Sequence, residues 1–167
     1  ILSSLVGSEM CIRDRLKGVG KNLQDHLMFR PVYKLKNIKS LNRDVESLYS
    51  KFLMGIQYIL KQSGPITMGA SQVCAFTKSD PSRATPNLQF HVQPLSTDIL
   101  GVTPMHNFEG ITPTVANIRP TSRGEINITS NDSRDNPKIK MNYLSTEDDR
   151  IVAAKSLKLV RKIMLET

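Results

Sequence analysis

Apolar residues recur at helical spacing in two stretches of the chain and alternate with polar ones in a third. Val45, Leu48, Phe52, Ile56, Ile59 and Leu60 share one face of a helix with a 3.6-residue period. Asn42 or Asp44 is expected to cap its start. Ser63-Gly64-Pro65 is expected to end it, with Gly64 as the left-handed C-cap and Pro65 forbidding continuation. Ile151, Ala154, Leu157, Val160 and Met164 form the inner face of a second helix, with Ser145 as N-cap and Asp148 three residues on. Leu88, Phe90 and Val92 alternate with Gln89, His91 and Gln93, the two-residue period of a half-buried strand. Further strands are expected over 27–36, 71–77, 111–118, 125–129 and 138–143, separated by turn-rich or loop segments at 78–86, 96–108, 119–124 and 131–137. Hairpin-like turns dominate. The predicted class is α+β: a mixed, mostly antiparallel sheet with helices on one face.

Composition narrows this only a little. At 39% hydrophobic and 23% charged, 167 residues are enough for one domain with a core, and the disordered class is excluded. The net charge of +8 comes from scattered Lys and Arg, with groups at Lys34, Lys36 and Lys39 and at Lys155, Lys158, Arg161 and Lys162. Without aromatic–basic interleaving this reads as solvated surface, and no nucleic-acid partner is expected. Cys11 and Cys74 are too few for a disulfide framework, and with His26, His91 and His106 far apart no metal site is expected. No apolar run reaches the length of a membrane span. The compartment is undetermined by the sequence, with the cytoplasm favoured. The run from Val6 to Arg15 resembles a peptide produced when sequencing-adapter DNA is translated. Residues 1–15 are therefore expected to be non-native; a genuine N-terminal tail is the other reading. At the far end the second helix reaches Thr167 without a stop signal, as if cut.

Three segments carry a resemblance. The first is Gly18-Val19-Gly20-Lys21-Asn22-Leu23-Gln24-Asp25-His26. The second is Gly64-Pro65-Ile66-Thr67, then Gln72-Val73-Cys74-Ala75-Phe76, then Pro86-Asn87-Leu88-Gln89-Phe90-His91. The third is Arg119-Pro120-Thr121-Ser122-Arg123-Gly124-Glu125-Ile126, then Asn136-Pro137, then Asn142-Tyr143-Leu144-Ser145. In this order they resemble the glucose–methanol–choline oxidoreductases over nearly all of residues 16–167. Three positions depart from the family's wording: Lys17 stands for Pro, Gln72 for Glu and Cys74 for Gly.

The resemblance implies an FAD-dependent oxidoreductase of alcohol CH–OH groups, with a Rossmann-type FAD domain and a substrate domain. Residues 16–30 would link the two and residues 31–167 would form an incomplete substrate domain, its partners being a small alcohol and the FAD domain of the same polypeptide. The Gly-x-Gly-x-x-Gly that seats a pyrophosphate is not in this sequence, and Gly18-Val19-Gly20 is not that motif. The family's C-terminal catalytic His is not in it either, so this stretch alone is expected to be inactive.

Asn22, Asp25 and His26 are candidates for cofactor contact; a hydrogen-bonded turn between domains is the alternative. Gln72, Phe90 and His106 are candidates for substrate contact, against a solvent-facing strand residue, a core residue and an exposed loop residue. Gln72 has a neutral amide where a quaternary ammonium wants a carboxylate, and the chain has no Trp for an aromatic cage, so an uncharged alcohol is expected rather than choline. Gly124 is expected to free a turn, and Arg123 to bind a nearby carboxylate or carbonyls. Two other classes remain: a non-catalytic basic binding module, and a lyase on the same scaffold.

Overall fold

The computed structural model describes residues 17–69, 71–99 and 101–165. Cys11, the adapter-like run and the last two residues lie outside them. Among the described residues are eight strands: β1 (Lys21–Leu23), β2 (Met28–Phe29), β3 (Tyr33–Lys34), β4 (Val73–Thr77), β5 (Leu88–Gln93), β6 (Gly110–Asn117), β7 (Gly124–Asn127) and β8 (Lys138–Lys140). Three helices accompany them: α1 (Leu41–Glu46), α2 (Leu48–Lys61) and α3 (Glu147–Leu165), with a 3₁₀ turn at Pro65–Thr67. Every pair among these strands is antiparallel. The α+β class is therefore as expected, with the strands in two sheets. Contacts divide the chain into two compact units, one of residues up to 26 with 120–151, the other of 27–119 with residues from 152 on.

The larger unit is built on a sheet ordered β2-β6-β5-β4, with β3 also pairing β6. The alternation in β5 holds over its first half: Leu88 and Phe90 are buried and join Val115 of β6 and Val152 and Val160 of α3 in the core, but at the far end Gln93 is buried and Val92 only half-buried. The single strand expected over 27–36 is split. Met28 and Phe29 pair with Ala116 and Val115, Tyr33 and Lys34 with Ile111 and Gly110, and Pro31 lies between, lacking an N–H for the ladder.

Both helices differ from their sequence reading. Ser40 and Ser47, not Asn42 or Asp44, cap α1 and α2; their hydroxyls accept from Asn42 N and Ser50 N. The left-handed residue after α2 is Gln62 (φ 47°), with Gly64 two residues on. The apolar face of α2 does not meet the core: none of its residues is buried, and Leu48, Phe52, Ile59 and Leu60 stay more than 60% exposed. In α3 the inward stripe is Val152, Ser156 and Val160, while Ile151 and Leu157 are exposed. Ser156 qualifies because its hydroxyl donates to Ala153 O at 2.8 Å, which lets a small polar residue sit inside.

Asn42 is fully buried and ties α1 to the loop between β5 and β6. Its Oδ1 accepts from Ser96 N (2.8 Å), and its amide hydrogens are shared among Ser96 Oγ, Ser96 O, His106 O and Phe108 O at 2.8–3.2 Å. Ser40 beside it donates from N and Oγ to Glu109, holding that carboxyl below its ordinary value.

The smaller unit holds the sheet β1-β7-β8. Gly124 is required here by close approach: a Cβ would lie 2.2 Å from Lys140 O of β8. Arg123 donates to Pro120 O and Ser122 O, carbonyls as expected. The N-cap of α3 is Thr146, whose Oγ1 accepts from Asp149 N, in place of Ser145. The Asp149 carboxylate accepts from Thr121 N (2.9 Å), Ser122 N (2.8 Å) and Thr121 Oγ1 (3.1 Å). Burial pushes its pKa up, but these bonds outweigh burial and hold it below 3.8.

Replacing Asn42 with Ala leaves buried partners unmet and is expected to cost about 3 kcal/mol, read as a lower denaturant midpoint. Asp149 stabilises the fold above its unfolded pKa, and that contribution is lost as pH falls through the lower folded value. Asp149→Asn is therefore expected to lose about 2 kcal/mol at neutral pH and to flatten the acid limb of a stability-versus-pH curve.

Candidate functional site

The segment Gly64–Thr67 follows α2 and turns because Gly64 takes φ 99° and Pro65 starts the 3₁₀ turn, with Thr67 Oγ1 donating to Gly64 O at 2.7 Å. Together with α1, α2 and Pro94-Leu95 it walls an open hollow of about 330 Å³. Leu41, Val45, Met54, Pro65, Ile66 and Met68 give it apolar sides, and among the described residues Lys51 is the one charged group that lines it. Gln72 does not line it but touches one of its lining residues, Met68. The Gln72 backbone N donates to Val92 O at 3.1 Å, continuing the β4–β5 ladder, and its side-chain Nε2 lies against the sulfur of Met68.

From Gln72 the chain runs into β4, which forms one end of the sheet order and is paired Val73↔Val92, Cys74↔His91 and Ala75↔Phe90. Cys74 is exposed and free. The sequence predicts that Phe90 and His91 face opposite ways, and they do. Phe90 is 5% exposed and belongs to the core, so its ring meets Leu88, Val115, Val152 and Val160 instead of an open surface. His91 is only partly buried.

His106 lies in the β5–β6 loop that Asn42 holds. Its ring stacks on Phe108 with centroids 4.8 Å apart and planes 9° from parallel, and the Lys34 ammonium lies 5.7 Å from the centre of the Phe108 ring. Nε2 is 3.2 Å from Asp98 Oδ1. A carboxylate only accepts, so Nε2 donates to it, while Nδ1 is buried without a partner. The Asp98–His106 pair has no sequence signature beyond its place in a loop.

In the smaller unit, Asn22 adopts φ 59° inside β1, where the register with β7 shifts between Lys21 and Leu23. Lys21 Nζ meets Glu125 Oε2 at 2.6 Å. Asp25 Oδ1 accepts from His26 N at 2.8 Å, and Oδ2 accepts from the Tyr143 hydroxyl. The Tyr143 bond, then the His26 N–H, hold Asp25 below its ordinary range; the same carboxylate pushes the Tyr143 phenol up. Asn142 Nδ2 donates to Arg123 O at 3.1 Å. Two segments that are more than a hundred residues apart in sequence are thus joined through Asp25 and Tyr143. The sequence places Asp25 and Tyr143 in separate family-like segments, and nothing local marks them as partners. Among the described residues no helix is long and apolar enough to cross a membrane.

A sequence profile described as GMC oxidoreductase matches residues 120–167. The chain is 35% identical over 151 residues to an oxygen-dependent choline dehydrogenase of Vibrio vulnificus, covering 90% of the chain and 27% of that protein. It is 34% identical over 157 residues to the protein of the same name in Photobacterium profundum, covering 94% of the chain and again 27% of the relative. The chain thus spans about a quarter of the length of the curated relatives it matches. Among solved structures, a formate oxidase of Aspergillus oryzae RIB40, studied for modification of its FAD, superposes with a TM-score of 0.76 at 18% identity, over 89% of this chain and 30% of that one. A pyridoxine 4-oxidase superposes with a TM-score of 0.64 at 20% identity, over 89% and 25%. The motifs at both ends of the chain, the relatives that span it and the shared fold agree: the chain belongs to the GMC oxidoreductase family.

Proposed function

We propose that this chain supplies the substrate side of an FAD-dependent oxidoreductase acting on the CH–OH group of an uncharged alcohol. The observation that carries the proposal is Gln72, a neutral amide held against Met68, which lines a hollow whose described lining includes no carboxylate. Its amide both donates and accepts, which suits a hydroxyl and its carbonyl product alike. His106, oriented by Asp98 and by stacking on Phe108, is the second proposed substrate contact. Phe90 supports β4 and β5 from the core side. In the smaller unit, Asn22, Asp25 and His26 are proposed to face the cofactor-bearing part of the enzyme.

FAD enters this reading through the family. The described residues do not fit its pyrophosphate. Gly20 leads into a strand, not a helix N-terminus, and a Cβ on it would lie 2.5 Å from Ile126 O, so the space beside it is filled by an acceptor oxygen. Asp25 is anionic and already bonded. What these residues contribute is binding and orientation.

The names of the relatives favour choline as a second reading. Steady-state turnover by the intact enzyme that contains this chain separates the two. Aliphatic and aryl alcohols are expected to outcompete choline in kcat/KM, and Gln72→Glu is expected to raise kcat/KM for choline about tenfold by restoring a counter-charge to the ammonium. Efficient oxidation of choline by the unaltered enzyme would overturn the proposal.

A further inference from the structure

We propose that the hollow beside α1 and α2 is a subsite for an unbranched aliphatic chain ending in a hydroxyl oxygen. This rests on the reading above and names the substrate class for it.

The lining decides the class. Leu41, Val45, Ile66 and Leu95 offer aliphatic walls, and no aromatic ring is among the described residues that line the hollow. A flat or cationic ligand finds nothing to stack on. Met54 and Met68 face the same space, and unbranched thioether side chains adapt to a slender, flexible ligand better than β-branched ones do. The volume, about 330 Å³, lies at the small end of the range for ligand pockets. Lys51 brings the one charge among the described lining residues. Its ammonium repels a quaternary ammonium and donates hydrogen bonds to an oxygen. Gln72, held against Met68, adds a second polar group beside that lining residue. A molecule that satisfies walls, width and polar groups together is apolar and linear along its length, with an oxygen at one end.

The hollow exists because the helical stretch is broken. Ser47 interrupts it with an extended conformation (ψ 121°) and caps α2 in the same step, so Leu41 and Val45 on α1 and Met54 on α2 line one space.

The test uses the intact enzyme with Met54→Trp, which fills the hollow, and Lys51→Glu, which reverses its charge. Binding of octanol and of octyltrimethylammonium is followed by ligand-observed NMR under non-turnover conditions, and KM is measured for straight-chain alcohols from butanol to decanol. Unaltered enzyme is expected to bind octanol in preference to octyltrimethylammonium and to show a KM that falls with chain length. Met54→Trp is expected to weaken octanol at least about tenfold and to abolish the chain-length trend. Lys51→Glu is expected to bring octyltrimethylammonium to at least the strength of octanol. Val45→Trp, which fills the same hollow from α1, is expected to weaken octanol likewise, and thermal melts of both Trp variants that match the unaltered enzyme show that the loss is filling and not unfolding. Octanol binding unchanged in Met54→Trp would overturn the inference, as would a preference for the cation in the unaltered enzyme. Alcohol oxidation with no dependence on chain length or on Met54 would overturn it while leaving the proposed function standing. Octanol bound in the hollow but no alcohol oxidised would do the reverse.

Discussion

Strand β6 is the element on which the larger unit depends. It pairs with β5 along its length on one side and with β2 and β3 on the other, and most of its residues are buried. Such a strand must satisfy two ladders at once, yet it carries Pro113, which has no N–H to give. The arrangement tolerates it because β2 pairs only at 115 and 116 and β3 only at 110 and 111. The gap between those two short strands falls at Pro113, and Pro31 lies in the matching stretch of the opposing segment. Two prolines thus share one interruption, and the ladder is continuous elsewhere.

From that strand outward the site follows. β5 registers on β6, β4 registers on β5, and Gln72 extends the same ladder by one backbone bond to Val92. The loop that leaves β5 carries Pro94 and Leu95 into the hollow and His106 onto Phe108, and Asn42 fixes that loop to the start of α1. The apolar margin and the polar groups beside it are therefore placed by backbone pairing and one buried amide. Side-chain packing beneath them, from Leu88, Phe90, Val115, Val152 and Val160, makes the support stiff.

What the sequence made legible is what depends on near neighbours. The inward Leu88 and Phe90 and the break after α2 have local causes, and each has its counterpart in the structure, whereas Gly124, expected in a turn, begins β7 because it must lie close to β8. The family-like segments were legible as words, because their order survives even where Gln72 and Cys74 depart from the common residue. Illegible were the features set by distant partners. Asn42 looks like a cap when read locally, but its amide is spent on residues 54 to 66 positions away. Ser156 counts as polar in any periodicity, so the apolar pattern points to Ile151 and Leu157, each one position from the buried Val152 and Ser156, and among the buried residues agrees only at Val160. Tyr143 carries no mark that it will meet Asp25. The long apolar face of α2 promised burial, and periodicity alone cannot say that the described core lies elsewhere.

The central claim is that the β4–β5–β6 ladder backed by α3 is a rigid wall, on which α2 and the hollow are a less protected addition. Native-state hydrogen exchange resolved by residue tests this most directly. The amides of β5, of β6 and of α3 from Val152 to Val160 should exchange only through global unfolding, with one common free energy. Those of α2 should exchange through local opening at lower cost. Equal protection of α2 and β6, or rapid exchange along β6, would contradict the account.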